Sequence, residues 1–144
     1  MSEFVLRQVQ LPEDFNSLIN LWRNAGPGIG ISASDSLPEL TKKMMAAPEL
    51  FLVALPANGD AIVGSVIGGY DGRRGLIYHL AVAPNLRNSG LGSKLLSEIE
   101  KRLKELDCKK AYLLVKRGNP QLDAYYEKRD WQAMDDIRLF GKNL

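Results

Sequence analysis

A chain of 144 residues with 45% hydrophobic and 25% charged residues has the size and composition of one folded globular domain, so a single domain over residues 1–144 is expected. Its formal net charge of +2, with Lys and Arg scattered among Asp and Glu, offers no clustered basic face for nucleic acid, and apolar runs such as Leu50 to Leu55 are far too short to cross a bilayer. The single cysteine, Cys108, and single histidine, His79, supply neither a disulfide nor a metal-ligand set, and the first residues lack the basic start and long apolar stretch of a secretion signal, so no metal and a cytoplasmic location are expected.

In chain order, Phe4 to Val9 reads as a first strand. Pro12-Glu13-Asp14 suits the first turn of a helix that carries Phe15, Leu18, Ile19, Leu21 and Trp22 on one face. Ala25 to Gly30, with three glycines and a proline, stops that helix. Ser36-Leu37-Pro38-Glu39 reads as a capping box opening a second helix that runs to about Ala47. Phe51 to Leu55, Ala61 to Tyr70 and Leu76 to Val82 form an antiparallel meander, turned at Asn58-Gly59-Asp60 and at Asp71 to Gly75. From Gly90 to Leu106 the apolar positions Leu91, Leu95, Leu96, Ile99, Leu103 and Leu106 trace one helix face, and Lys109-Lys110 is read as complementing the end of that helix. Lys110 to Val115 is a strand, Pro120 to Lys128 a short helix, and Trp131 to Gly141 closing strand material. The order β-α-α-β-β-β-α-β-α-β describes an α/β (α+β) domain with a mixed, mostly antiparallel sheet flanked by helices.

The chemistry-bearing stretch is Arg87-Asn88-Ser89-Gly90-Leu91-Gly92, between a strand ending at Val82-Ala83-Pro84 and the long helix. A helix start presents unpaired N–H groups and the positive end of the helix dipole, and glycine at 90 and 92 lets an anion reach the backbone. Ser93 adds a hydroxyl and Arg87 a charge. A dinucleotide fingerprint would need glycine where Leu95 stands, and a P-loop would need four residues between its glycines and a Gly-Lys-Ser/Thr ending. Taken alone, the two glycines read first as a tight strand-to-helix turn.

In context, Leu80-Ala81-Val82-Ala83-Pro84-Asn85-Leu86-Arg87-Asn88-Ser89-Gly90-Leu91-Gly92 resembles the central motif of the GNAT family of N-acetyltransferases, and Asn119 followed by Ala124-Tyr125-Tyr126-Glu127-Lys128 resembles the family's downstream block. Residues 61 to 134 carry the resemblance, and the short chain with its Gly-Gly-Tyr-Asp-Gly turn is similar to the small bacterial YpeA-type acetyltransferases. The resemblance implies a GNAT-like fold and acetyl transfer from acetyl-CoA to a primary amine of a small molecule, peptide or protein. It implies that the backbone of Leu80, Ala81 and Val82 holds the thioester arm, that Asn88, Ser89, Gly90, Leu91, Gly92 and Ser93 with Arg87 hold the pyrophosphate, and that Asn119 touches the cofactor arm. Tyr126 would contact the cofactor and protonate the departing thiolate. Many members carry a glutamate on a central strand, but the aligned positions are Leu76 and Leu114, which leaves Asp71, Tyr78, His79 or an ordered water chain as the proton acceptor. Trp22, Arg23, Tyr70 and Tyr78 are further candidates to line an acceptor pocket, Trp22 reading first as a core anchor on the first helix. A non-catalytic acyl-CoA-binding sensor is the alternative reading, and a homodimer is left open.

Overall fold

The structure is a computed structural model that describes residues 3–26 and 29–144. The chain divides into two compact units, Met1–Leu114 and Val115–Leu144. The first holds β1 (Phe4–Gln8), α1 (Phe15–Asn24), α2 (Leu37–Ala46), β2 (Phe51–Pro56), β3 (Gly64–Tyr70), β4 (Gly75–Val82), α3 (Leu91–Glu105) and β5 (Ala111–Leu113); the second holds α4 (Pro120–Glu127). The strands form one sheet in the order β1-β2-β3-β4-β5, antiparallel throughout except for the parallel β4–β5 pair. That parallel step follows from the α3 crossover, since parallel neighbours need a long connection.

Helices cover both faces of the sheet in the first unit. On one face Leu18, Ile19, Leu21 and Trp22 of α1 pack with Phe51, Val53, Leu55, Ile67 and Ala81. On the other face Leu91, Leu95, Leu96, Ile99 and Leu103 bury one side of α3. The α3 layer approaches β3 so closely that a Cβ at Gly64 would lie 2.9 Å from Leu95 Cδ1 and one at Gly68 would lie 3.0 Å from Ile99 Cγ1. Absent side chains at these two glycines are what allow the helix to settle on the sheet.

Several local expectations are corrected. Pro12-Glu13-Asp14 forms a turn before α1 rather than its first turn, because the Asp14 carboxylate is drawn back to Arg7 and to the Gln10 N–H. The capping box lies one turn earlier than predicted: Ser36 accepts from Glu39 N–H, but the reciprocal pair is Ser32 with Asp35, around a short 3-10 turn at Ala33–Asp35. Leu106 lies past the end of α3 and is exposed, and Lys109 pairs with Asp107 rather than with the helix end.

Trp131 to Gly141 forms no strand. A turn closes there, with Ile137 N–H donating to Met134 O, and Ile137, Leu139 and Phe140 stay exposed. The Asp135-Asp136 pair inside the stretch breaks the apolar alternation a strand needs. The mixed α/β class holds without that last element. Pro27 and Gly28 of the predicted Ala25 to Gly30 loop lie outside the described residues.

Candidate active site

Strand β4 is irregular where the central motif begins. Ile67 pairs with Tyr78 and Ser65 with Ala81, so two residues of β4, His79 and Leu80, stand opposite Val66. His79 takes φ +50 at this bulge. In a regular strand Tyr78 and His79 would point to opposite faces. The extra residue turns the His79 ring to the α1 face, where it meets the Trp22 ring edge-on at 4.5 Å and the Tyr78 ring at 5.5 Å.

Pairing with β5 covers only Gly75, Leu76 and Ile77. From Tyr78 onward no strand pairs with that edge of β4 among the described residues, so Leu80, Ala81 and Val82 present backbone groups along an open edge. An open edge is a template for an extended ligand that carries its own amide groups.

After Val82 the chain makes a short 3-10 turn at Pro84–Leu86 and then enters α3 through two left-handed residues, Asn88 at φ +65 and Gly90 at φ +87. Gly90 is the residue before the first helical turn and makes no side-chain cap, and space beside its Cα is open. Leu91 N–H donates to Ser89 Oγ, whereas Gly92 N–H has no acceptor among the described residues. Left-handed residues at a helix start make a concave row of N–H donors, the arrangement that binds phosphate oxygens. Arg87 is turned away from this row in part: its guanidinium donates to the carbonyls of Ala25, at 2.5 Å, and Val82, at 3.4 Å, fastening the end of α1 to the end of β4.

Among the proton-acceptor candidates, Asp71 Oδ1 accepts from both Arg73 and Arg74 N–H at 2.8 and 2.7 Å. Those backbone bonds, from Arg74 first, hold its carboxyl below the usual carboxylate range, as fits a turn-closing group rather than a base. Burial, with Asp35 nearby, pushes the Tyr78 phenol up. Trp22 is fully buried and is a core anchor. Tyr70 closes the β3–β4 turn by donating to Gly72 O at 3.0 Å. Two residues that sequence reasoning missed join this face. Asp35, 7% exposed, binds His79 Nε2 at 3.0 Å, and fully buried Ser65 bridges Trp22 Nε1 and His79 O. The Ser32-x-x-Asp35 spacing was the available signal for Asp35.

In the second unit, Asn119 Oδ1 caps α4 by accepting from Leu122 N–H at 3.1 Å. Tyr125 and Tyr126 pack edge-to-face at 5.2 Å, and the Arg129 guanidinium lies 3.6 Å over the Tyr125 ring. Burial, then the neighbouring Tyr125, raise the Tyr126 phenol to about 12 against the opposing effect of Arg129. Asp130 adopts the left-handed backbone at φ +69, which Asp tolerates better than most residues.

A family model described as the acetyltransferase (GNAT) family matches residues 15–131. The chain belongs to this family. An acetyltransferase of Pectobacterium atrosepticum is 39% identical over 132 residues, spanning 92% of this chain and 90% of that protein. The structure superposes on an acetyltransferase from Streptococcus agalactiae with a TM-score of 0.78 at 15% identity, covering 100% of this chain and 93% of that one. It also superposes on Arabidopsis thaliana Naa50 in complex with the bisubstrate analogue CoA-Ac-MVNAL, with a TM-score of 0.73 at 21% identity over 93% and 86% of the two chains. The GNAT protein described here is therefore an acyltransferase with the mixed α/β fold of its family. Among its described residues no helix is long and apolar enough to cross a membrane, and no cluster of His, Cys, Asp and Glu has the makings of a metal site.

Proposed function

We propose that this GNAT protein transfers an acetyl group from acetyl-CoA to a primary amine by direct attack, acting as one N-acetyltransferase domain in the cytoplasm. The carrying observation is the pairing of an open β4 edge at Leu80 to Val82 with the helix start that runs through left-handed Asn88 and Gly90 to the side-chain-free Gly92. A long ligand with amide groups at one end and a pyrophosphate at the other fits those two features in the order in which the chain presents them. The Naa50 complex, a structural neighbour with a CoA-containing ligand, supports the same reading.

In this reading the backbone of Leu80, Ala81 and Val82 takes the thioester arm, and a backbone N–H there faces the carbonyl oxygen as charge develops on it. The N–H groups and side chains of Asn88, Ser89, Gly90, Leu91, Gly92 and Ser93 take the pyrophosphate. Arg87 serves mainly by holding the β4 end to α1 through its two carbonyl contacts. Asn119, whose Oδ1 is committed to capping α4, offers its amide N–H groups to the cofactor arm. Tyr126 is the general acid for the departing thiolate. Burial holds this phenol near 12, which keeps it protonated at neutral pH and makes it a weaker acid toward a thiolate than an ordinary phenol.

Release of free CoA thiol, followed with acetyl-CoA and a panel of amino acids, polyamines and short peptides with free N-termini, tests the proposal. Tyr126→Phe should lower kcat about 10²-fold or more with the KM for acetyl-CoA nearly unchanged. Unchanged turnover would remove Tyr126 from the acid role. Thermal stabilisation by CoA without acetylated product from any amine would leave the protein an acyl-CoA-binding sensor.

A further inference from the structure

On the α1 face, inside an apolar layer, Trp22 and Ser65 hold the His79 backbone carbonyl and Asp35 holds the His79 ring. Trp22 Nε1 donates to Ser65 Oγ at 2.8 Å, Ser65 Oγ donates to His79 O at 2.9 Å, and His79 Nε2 lies 3.0 Å from Asp35 Oδ1. The other oxygen of Asp35 accepts from Ser32 N–H at 3.0 Å. Each oxygen of this nearly buried carboxylate faces one nitrogen, so a neutral imidazole here would carry its proton on Nε2 and leave Nδ1 as its basic atom. No described residue offers Nδ1 a partner, and the ring is 18% exposed.

A tie between the 3-10 turn and the sheet would not need this geometry. Tyr78 already points to the α1 face from a regular strand position, and a polar residue there could have held Asp35. Instead the chain adopts a left-handed backbone at a non-glycine residue, a cost of about 1–3 kcal/mol, to bring an imidazole to that face. The location matters as well. His79 precedes Leu80 to Val82 directly, so along a strand it is within about 10 Å of all three.

We propose that His79 is the general base of acyl transfer, oriented by Asp35 as a positioning residue. This rests on the acyl-transfer reading above. The acceptor R–NH3+ gives one proton to Nδ1 of neutral His79, which passes it to solvent. The freed nitrogen lone pair attacks the thioester carbonyl carbon, the C–N bond forms and the C–S bond breaks. Tyr126 protonates the leaving thiolate, and the second proton lost from nitrogen restores the phenol. The products are the amide, free CoA thiol and one proton. Among the described residues, the groups in contact with the ring are Asp35 from the 3-10 turn, Tyr78 from β4 and uncharged Trp22 from α1, with uncharged Ser65 of β3 on the His79 carbonyl. Tyr78, pushed up by burial and by Asp35, remains neutral, and Asp35 is the acidic group hydrogen-bonded to the ring.

The chain has one histidine, which makes the test clean. Nitrogen-15 NMR of wild-type protein should show the proton on Nε2, and Asp35→Asn should disturb that tautomer. In the thiol-release assay with the amine panel, wild-type kcat/KM should fall at acid pH. His79→Gln should lower kcat about 10²-fold or more, leave the KM for acetyl-CoA unchanged and remove that acid limb. In the His79→Gln background Asp35→Asn should add little. Should the variants not fold, diethyl pyrocarbonate on the wild type modifies the one imidazole, and turnover should fall in proportion while acetyl-CoA binding persists. A ring carrying its proton on Nδ1, an active His79→Gln enzyme with the acid limb intact, or full turnover after complete modification would each overturn the assignment. A wild-type protein that acetylates no amine would instead overturn the acyl-transfer reading, and the base with it.

Discussion

Ser65 is the residue on which the bulge hangs, and its removal has a size that can be worked out. Ser65→Ala deletes the acceptor of Trp22 Nε1–H and the donor to His79 O. Trp22 is fully buried, so its indole N–H finds no water in place of the lost oxygen. A buried donor left unpaired costs about 1–3 kcal/mol, and the second, partly buried bond contributes about 1 kcal/mol net. The expected loss is therefore about 2–4 kcal/mol, or about 7–13 °C in Tm for a chain of this length. Urea unfolding should show a lower midpoint at constant slope, since the surface exposed on unfolding hardly changes. Trp22→Phe removes the donor beforehand, so adding Ser65→Ala to it should cost about 1 kcal/mol less than in the wild type, the difference measuring the Trp22–Ser65 coupling. A Ser65→Ala loss below about 0.5 kcal/mol, or full additivity with Trp22→Phe, would refute the view that this hydroxyl holds the bulge.

Three further outcomes follow from the packing, the cradle and the charges. Gly64→Val should destabilise by about 1–3 kcal/mol in urea titration, because its Cβ would meet Leu95 Cδ1 at 2.9 Å and Leu91 Cδ2 at 3.1 Å in a filled layer. Gly90→Val should weaken acetyl-CoA about tenfold or more by calorimetry, since a β-branched residue at φ +87 stores about 1–3 kcal/mol of strain that reshaping the cradle relieves. Burial opposes ionisation of Asp14, but the hydrogen bonds from Arg7 and Gln10 N–H outweigh it, leaving its carboxyl below the ordinary 3.8. A depressed folded-state value contributes stability that is present above that ordinary value and is lost as pH falls through the folded one. Asp14→Asn should therefore be less stable than wild type at neutral pH and flatter in urea titrations taken through the acid range.

The layers of the fold were legible because their signals are local and periodic. The Leu91, Leu95, Leu96, Ile99, Leu103 face of α3, the α1 face with Trp22, and the meander of three strands all rest on spacing that survives any tertiary context. The strand-to-helix turn was legible too, since glycine at 90 and 92 after Val82-Ala83-Pro84 marked where α3 begins, and the structure adds that Gly90 takes φ +87. Three features had no such signal. The bulge at His79 sits in Ile77-Tyr78-His79-Leu80, where no glycine marks the left-handed residue. The contact between Asp35 and His79 joins residues 44 positions apart that no pattern links. The closing strand read from Trp131 to Gly141 depended on apolar residues alone, and an apolar residue becomes part of a strand only when a neighbour supplies the ladder and the buried face.

The Leu76 and Leu114 positions bear on the chemistry through charge as well as through geometry. A glutamate base goes from −1 to neutral as it accepts a proton. The His79–Asp35 pair does the same: a neutral imidazole beside a carboxylate carries −1, and the imidazolium beside that carboxylate carries none. An approaching R–NH3+ meets the same charge in either case, and the same charge disappears when it is deprotonated. What changes is the place where the proton lands. Leu76 precedes His79 by three residues, about 10 Å along a strand, and it pairs with Gly69 and Tyr112 in the part of β4 that β5 closes. His79 stands where that closure has ended and the open edge begins. With His79 as the proposed base, the charge change of a strand carboxylate would be kept while the basic atom would lie nearer the segment that would hold the thioester. A base at His79, as proposed, would depend on the 3-10 turn that carries Asp35, which would tie the connection between α1 and α2 to the proton-transfer step.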